Sequence, residues 1–116
     1  MTLERIRPGQ WNSRAVLHGD MVYLSGIVAD DKSLPIAGQT QQVLEKIDGV
    51  LAEAGTDKSK ILAVTVYMAD IAEKDALNEV YMAWMDASIL STRTCIGAAL
   101  TPGTRVEITV TATRAE

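Results

Sequence analysis

The chain has 116 residues, of which 47% are hydrophobic and 22% charged, and its formal net charge is -4. This size and composition predict one folded domain spanning residues 1–116, with a core large enough to form without disulfides or metals. No apolar run reaches the roughly 18 residues that a membrane span requires, and the charged start is unlike a signal peptide. We therefore expect a cytoplasmic protein with no membrane partner.

The cysteine, histidine and cation content excludes two further classes of protein. One cysteine, Cys95, and one histidine, His18, can form neither an internal disulfide nor the usual ligand set of a zinc site. The eleven Lys and Arg residues are scattered along the chain, whereas binding to a phosphate backbone requires a basic patch. We expect no metal site and no nucleic-acid partner.

The first half of the chain predicts a hairpin followed by a helix. Residues 14–28 form two β-rich runs around Gly19 and Asp20, which is the signature of a tight turn between antiparallel strands. After a loop at residues 29–38, apolar side chains recur at helical spacing from Gln39. The helix is expected to end at Gly55, because glycine favours the left-handed conformation that often follows a helix.

The second half predicts three strands and one more helix. Residues 61–70 are β-branched and almost entirely apolar, which is typical of a central strand. Residues 74–87 have the helical period, and residues 105–113 alternate strictly between apolar and polar side chains. We expect the last strand to lie beside another strand at residues 93–100, because only a short turn at residues 101–104 separates them.

This order of elements predicts an α+β fold in which two helices cover one face of a mixed sheet. The other face combines Thr, Tyr and Glu with Val and Ala, so it is neither a second core nor fully polar. A half-apolar sheet face often packs against another subunit, and we therefore expect an oligomer.

The sequence contains few candidates for a catalytic nucleophile or base. Cys95 and His18 are the available nucleophile and base, but they fall in separate predicted strands, and a lone cysteine within a strand is more often a small buried apolar residue. The Gly-rich motifs that bind dinucleotides or nucleoside triphosphates do not occur in the sequence, so no cofactor is expected.

Arg93, Cys95 and Glu107 lie among small or neutral neighbours on the two C-terminal strands. If Arg93 and Glu107 face one pocket, the guanidinium can grip a carboxylate while the glutamate handles a water or a proton. If they face solvent, they form a weak cross-strand ion pair. Residue types alone favour the ion pair.

A pattern of short segments runs through nearly the whole chain. Its members are residues 15–26, 39–55, 61–70, 78–81, 93–96 and 106–108. In this order and spacing they resemble the reactive intermediate deaminase (RidA/YjgF) family of enamine and imine deaminases. The resemblance implies a chorismate-mutase-like domain that assembles as a trimeric barrel, with active sites in clefts between neighbouring subunits.

The resemblance also implies a reaction and roles for individual residues. The reaction is cofactor-free hydrolysis of a small 2-enamine or 2-imine carboxylate to a 2-keto acid and ammonia. In the family pattern Arg93 grips the substrate carboxylate, Glu107 positions the attacking water, and Cys95 lines the pocket. Ser25, at the end of the hairpin, is either a turn residue or a substrate contact.

Some positions depart from the family pattern. Asn12 stands where family members have a pocket tyrosine, Ile27 replaces a glutamine, and Lys46 replaces an asparagine. Because Asn12 supplies neither an aromatic ring nor a phenol hydroxyl, we expect a substrate-binding position with a roomier cleft and a changed substrate preference.

Two other functions are considered. The alternative to an enzyme is a non-catalytic homotrimer that binds a small carboxylate in the same cleft. A ribonuclease activity, ascribed to some relatives, is the weakest candidate because the chain is acidic and lacks a pair of histidines.

Overall fold

The computed structural model describes residues 2–114 as a seven-stranded mixed sheet with two helices on one face. The strands are β1 (Leu3–Pro8), β2 (Ser13–His18), β3 (Met21–Leu24), β4 (Ile27–Val28), β5 (Ile61–Met68), β6 (Thr92–Gly97) and β7 (Val106–Thr113). The helices are α1 (Ile36–Glu53) and α2 (Lys74–Trp84). The predicted fold class is confirmed.

The order of strands across the sheet is β1-β2-β3-β7-β5-β6, and β4 also pairs with β7. β5 runs parallel to β6, while the other pairs are antiparallel. β5 therefore lies between β6 and β7. The expectation that the two C-terminal strands lie side by side is wrong, because each of them pairs with β5 instead of with the other.

Two glycines adopt the conformations that the sequence predicts. Gly19 has a φ of +61° in the two-residue turn between β2 and β3, and Gly55 has a φ of +80° just after α1. The N–H of Thr56 donates to the Leu51 carbonyl at 2.9 Å, which satisfies a carbonyl in the last turn of α1. The helix begins three residues earlier than predicted, at Ile36.

The alternation in β7 separates a buried face from a half-exposed one. Val106, Ile108 and Val110 are buried under the helices, as are the β5 residues Val64 and Val66. From α1 and α2 the core receives large apolar side chains, among them Leu44, Ile47, Leu51 and Leu77. Neither helix of residues 2–114 has the length and hydropathy needed to cross a membrane.

The opposite side of the sheet, here called the open face, carries apolar side chains that residues 2–114 leave partly exposed. Tyr23 and Ile96 are 47% and 43% exposed, and they pair across the ladder with Thr111 and Tyr67. This face has the mixed character that the sequence predicts.

Turns at residues 31–33, 57–59 and 86–88 share one hydrogen-bonded motif, in which an aspartate precedes a serine by two residues. The carboxylates of Asp31, Asp57 and Asp86 each accept hydrogen bonds from the backbone N–H and the hydroxyl of that serine. These bonds hold the pKa of each carboxyl below its usual value of 3.8, because they favour the charged form.

We predict that Asp57→Ala lowers the melting temperature at neutral pH and that this difference disappears in acid. Because the folded pKa of Asp57 lies below its unfolded value, its contribution is complete above the unfolded pKa and is lost as the pH falls below 3.8. Thermal unfolding of both proteins across this range measures the effect. A difference that persists at the lowest pH would contradict it.

Candidate functional site

Arg93 lies on β6, with its side chain on the helix-covered face of the sheet. It pairs with the buried Val64 of β5, and paired residues point to the same side. Its Nη2 donates a hydrogen bond of 2.5 Å to Oδ1 of Asn78, and its guanidinium carbon lies 4.8 Å from the centroid of the Tyr81 ring. One amide and one aromatic ring therefore hold the guanidinium.

Helical geometry explains why Asn78 and Tyr81 meet the same arginine. Residues three apart lie on one face of a helix, and both residues belong to α2. The Tyr81 ring also packs edge-on against Trp84, with centroids 5.6 Å apart. Burial raises the pKa of the Tyr81 phenol, against the opposing effects of a hydrogen bond with Ser91 and of the Arg93 charge. The sequence places Tyr81 in the core but does not reveal its contact with Arg93.

A cleft of about 340 Å³ opens beside this guanidinium. It is lined by Asn78, Tyr81, Met82, Leu90, Ser91 and Arg93, and we call it the arginine cleft. Cys95 lies two residues further along β6 on the same face, half-buried against the core. Arg93 and Cys95 therefore share the helix-covered face of β6, and the pocket role of Cys95 stays a prediction.

Arg93 has no acidic partner among residues 2–114. The ion pairs of that part of the chain join Arg7 to Glu53, Lys46 to Asp30, Arg105 to Glu73, and Arg114 to Glu4. The partners of Arg93 are neutral, so its positive charge remains available to a ligand.

Glu107 lies on the open face, on the opposite side of the sheet from Arg93. It pairs with Tyr67, and its neighbours Val106 and Ile108 point into the core. The carboxylate borders a second cleft of about 380 Å³, the glutamate cleft, which is lined by Gly26, Tyr67, Ala98, Ala99, Leu100, Glu107 and Thr109.

Both sequence-based alternatives for Arg93 and Glu107 are therefore wrong within one chain. The two side chains neither face one pocket nor form a cross-strand ion pair, because β5 lies between their strands and they occupy opposite faces. A site that uses both groups requires two copies of the chain.

Ser25 and Asn12 have different surroundings. The backbone N–H and the hydroxyl of Ser25 both donate to the Arg14 carbonyl, at 3.0 and 3.3 Å, which extends the pairing of β2 with β3 by one residue. Asn12 is exposed in the turn between β1 and β2, where its carbonyl accepts from the N–H of Gly9 at 2.7 Å. Asn12 lines neither the arginine cleft nor the glutamate cleft.

The Cys95 and His18 pair is excluded within the chain. Four strand spacings separate β6 from β2 in the sheet, which corresponds to about 19 Å. A nucleophile and its base must lie within hydrogen-bonding reach of each other.

Comparison with known proteins identifies the family. The family model described as "Endoribonuclease L-PSP" matches residues 2–114. The chain belongs to this family. A RutC family protein of Haemophilus ducreyi is 39% identical over 101 residues, which cover 86% of each chain.

Two further relatives connect the chain to the predicted resemblance. A protein of Rattus norvegicus named 2-iminobutanoate/2-iminopropanoate deaminase is 31% identical over 102 residues, covering 83% of this chain and 74% of the relative. A solved YjgF-family structure from Neisseria meningitidis is 34% identical, has a TM-score of 0.96, and covers 100% of this chain and 98% of the other. The RidA/YjgF resemblance is confirmed.

Gly26 gives the Glu107 carboxylate its place in the glutamate cleft. A Cβ atom at position 26 would lie 2.1 Å from Oε2 and 3.0 Å from Cδ of Glu107. Only a glycine therefore permits the carboxylate to lie so close to the backbone of residue 26.

We predict that Gly26→Ala moves the Glu107 carboxylate while leaving the fold intact. The clash involves the far end of a flexible side chain, so the free energy of unfolding should fall by no more than the roughly 1–3 kcal/mol that overpacking typically costs. A crystal structure of the variant measures the displacement, and thermal unfolding measures the stability. A carboxylate that stays in place while the backbone shifts would contradict the prediction.

Proposed function

We propose that the protein hydrolyses small 2-enamine or 2-imine carboxylates to 2-keto acids and ammonia, without a cofactor, at sites shared between subunits of a homotrimer. In this proposal Arg93 and Glu107 are catalytic residues, Arg93 also binds the substrate carboxylate, and Cys95 lines the pocket. The name of the rat relative, a 2-iminobutanoate/2-iminopropanoate deaminase, supports this substrate class.

The observation that carries the proposal is the neutral environment of the Arg93 guanidinium. Asn78 and Tyr81 fix its position without neutralising it, so it can offer two parallel N–H donors to a substrate carboxylate. Binding the carboxylate at a fixed site also fixes the adjacent C2 carbon, which is the atom that water attacks.

Glu107 would act on the attacking water. Its carboxylate accepts one proton of the water as the water oxygen bonds to C2 and the C=N π electrons move to nitrogen, and it returns that proton to the nitrogen, which gives a carbinolamine. The carboxylate then accepts the remaining hydroxyl proton and passes it to the nitrogen, so the C–N bond breaks and ammonia leaves as the C2 carbonyl forms. An enamine substrate first takes a proton from solvent at C3 and loses a proton from nitrogen, which gives the imine.

The position of Arg93 and Glu107 on opposite faces supports a shared site. In an assembly that covers the open face, Glu107 of one chain is brought against a neighbour, and the edge strand β6 of that neighbour carries Arg93. Association would bury the exposed side chains of Tyr23 and Ile96 on this face against a neighbouring chain. Ser25 adjoins Gly26 in the glutamate cleft wall, and Asn12 would contact substrate only if a neighbouring chain covered the turn between β1 and β2.

We predict that the wild-type protein releases ammonia from 2-iminobutanoate generated in place by an amino-acid oxidase. Arg93→Lys should raise KM or lower kcat/KM by about 10-fold or more, because an ammonium cannot reproduce the paired donors of a guanidinium. Glu107→Gln should lower kcat by about 100-fold, the usual contribution of a general base. The matched control is Arg5→Lys, an exposed arginine on β1 outside both clefts.

Equal rates for the wild type, Arg93→Ala and buffer would contradict the enzyme proposal. Calorimetric titration with 2-oxobutanoate would then test the alternative of a non-catalytic carboxylate-binding protein. Binding that disappears in Arg93→Ala would support that alternative, whereas no binding would exclude both.

We also predict that two inactive variants restore activity when their subunits are mixed. In trimers assembled randomly from Arg93→Ala and Glu107→Gln chains, about one quarter of the shared sites combine an intact Arg93 with an intact Glu107. Co-expression with two affinity tags isolates mixed oligomers, and light scattering should report about three chains. Mixed trimers without activity, or a stable monomer, would contradict the shared site.

A further inference from the structure

A small pocket lies between α1 and the β1–β2 hairpin, away from both clefts. Its volume is about 160 Å³, and its lining residues are Arg7, Arg14, Ile27, Lys46, Gly49, Val50 and Glu53. We call it the hairpin pocket. None of its residues lines the arginine cleft or the glutamate cleft.

The walls of the hairpin pocket carry more positive than negative charge. Arg7 pairs with Glu53, and Lys46 donates to Asp30 at 2.9 Å and to the Val28 carbonyl at 2.7 Å. Arg14 is half-buried and makes no side-chain hydrogen bond or ion pair with residues 2–114. Three cations and two acids leave one positive charge without a partner.

The charge of Arg14 also affects the pKa of a nearby carboxyl group. The pKa of Asp30 is lowered chiefly by its hydrogen bond to Lys46 and by the charge of that lysine, and the charge of Arg14 adds to this effect. The charged side chains in and beside the pocket therefore sum to +1, although the chain as a whole has a net charge of -4.

The helical side of the pocket is kept open by a glycine. Gly49 lies inside α1, where glycine is the least favourable residue after proline. Apart from the adjoining residues and backbone of α1 itself, a Cβ atom at this position would meet no atom of residues 2–114 within 4 Å, so packing does not require the glycine. Its consequence is empty space directly beside the three cationic side chains.

The size of the pocket suits one small oxyanion. At about 160 Å³ the pocket has room for one small oxyanion such as phosphate. The Arg14 guanidinium offers two parallel N–H donors to phosphate oxygens without first losing an acidic partner. Arg7 and Lys46, in contrast, border the pocket with Glu53 and Asp30 already bound to them. Arg7, with a φ of +48°, contributes one wall from a backbone conformation that is uncommon outside glycine.

We propose that the hairpin pocket is a binding site for a phosphoryl oxyanion, with Arg14 as its principal ligand and Gly49 as the residue that leaves room for it. The site goes beyond the deaminase proposal and does not depend on it. The oxyanion is either inorganic phosphate or the phosphate group of a monoester, since both present the same oxygens to the pocket.

Calorimetric titration with inorganic phosphate and with glycerol 3-phosphate, at low salt, tests the proposal. We expect saturable binding by the wild type and a loss of about tenfold or more in Arg14→Gln, because a hydrogen bond to a charged group is removed. Gly49→Leu should also lose binding, while its melting temperature does not fall, because leucine favours the helix and enters open space. Tighter binding of glycerol 3-phosphate would identify a monoester as the ligand, and equal or weaker binding would identify free phosphate.

Two matched variants distinguish this site from other cations. Arg5→Gln removes a guanidinium from the same hairpin outside the pocket and should bind phosphate as the wild type does. Arg93→Ala should also retain binding, whereas its loss there would place the phosphate in the arginine cleft and overturn the proposal. Absence of saturable binding by the wild type, or unchanged binding by Arg14→Gln, would overturn it as well.

Discussion

The position of β5 between β6 and β7 decides how the reactive groups of this protein are arranged. The side chains of paired residues point to the same face of the sheet. Arg93 therefore lies on the helix-covered face with its buried partner Val64, whereas Glu107 lies on the open face with its partner Tyr67. A shift of one residue in β7 would bring Glu107 to the helix side, but it would also expose Val106 and the apolar residues that alternate with it. The hydrophobic core therefore enforces the separation of the two charged groups.

A second constraint fixes where β7 begins. Gln39 is fully buried in α1, and its Oε1 accepts from the N–H of Arg105 at 2.9 Å. Its Nε2 donates to the carbonyls of Gly103 at 2.9 Å and Leu34 at 3.0 Å. One amide thus joins the loop before α1 to the turn before β7, and Glu107 follows only two residues later. Leaving such a buried amide unpaired typically costs about 1–3 kcal/mol, so the start of β7 is well determined.

Local sequence patterns predict the helices, the β2–β3 hairpin and the two faces of β7, because each depends on neighbours within a few residues. β1 is missing from the sequence-based prediction because Leu3–Pro8 is rich in charge and is exposed along an edge strand. The pairing of β6 and β7 with β5 is also missing, since no local pattern encodes which distant strands become neighbours. That choice determines the face of Arg93, so the residue types at the site are predictable while their arrangement is not.

The two α2 residues that contact Arg93 are partly predictable from the sequence. Asn78 and Tyr81 stand three residues apart, and this spacing alone predicts that they share one helix face. What the spacing does not predict is the strand that lies beneath them. Tyr81 shows that one residue can serve the core and the site together, because its ring is buried and still supports a guanidinium.

The choice of partners distinguishes Arg93 from the ion-paired arginines of residues 2–114. Acids outnumber Lys and Arg by fifteen to eleven, and Arg7, Arg105 and Arg114 each pair with a glutamate. A paired guanidinium must lose its carboxylate before it can bind another, whereas an amide and a ring orient Arg93 and leave its charge free. Neutral support in an acidic chain is therefore what makes Arg93 receptive to a small carboxylate.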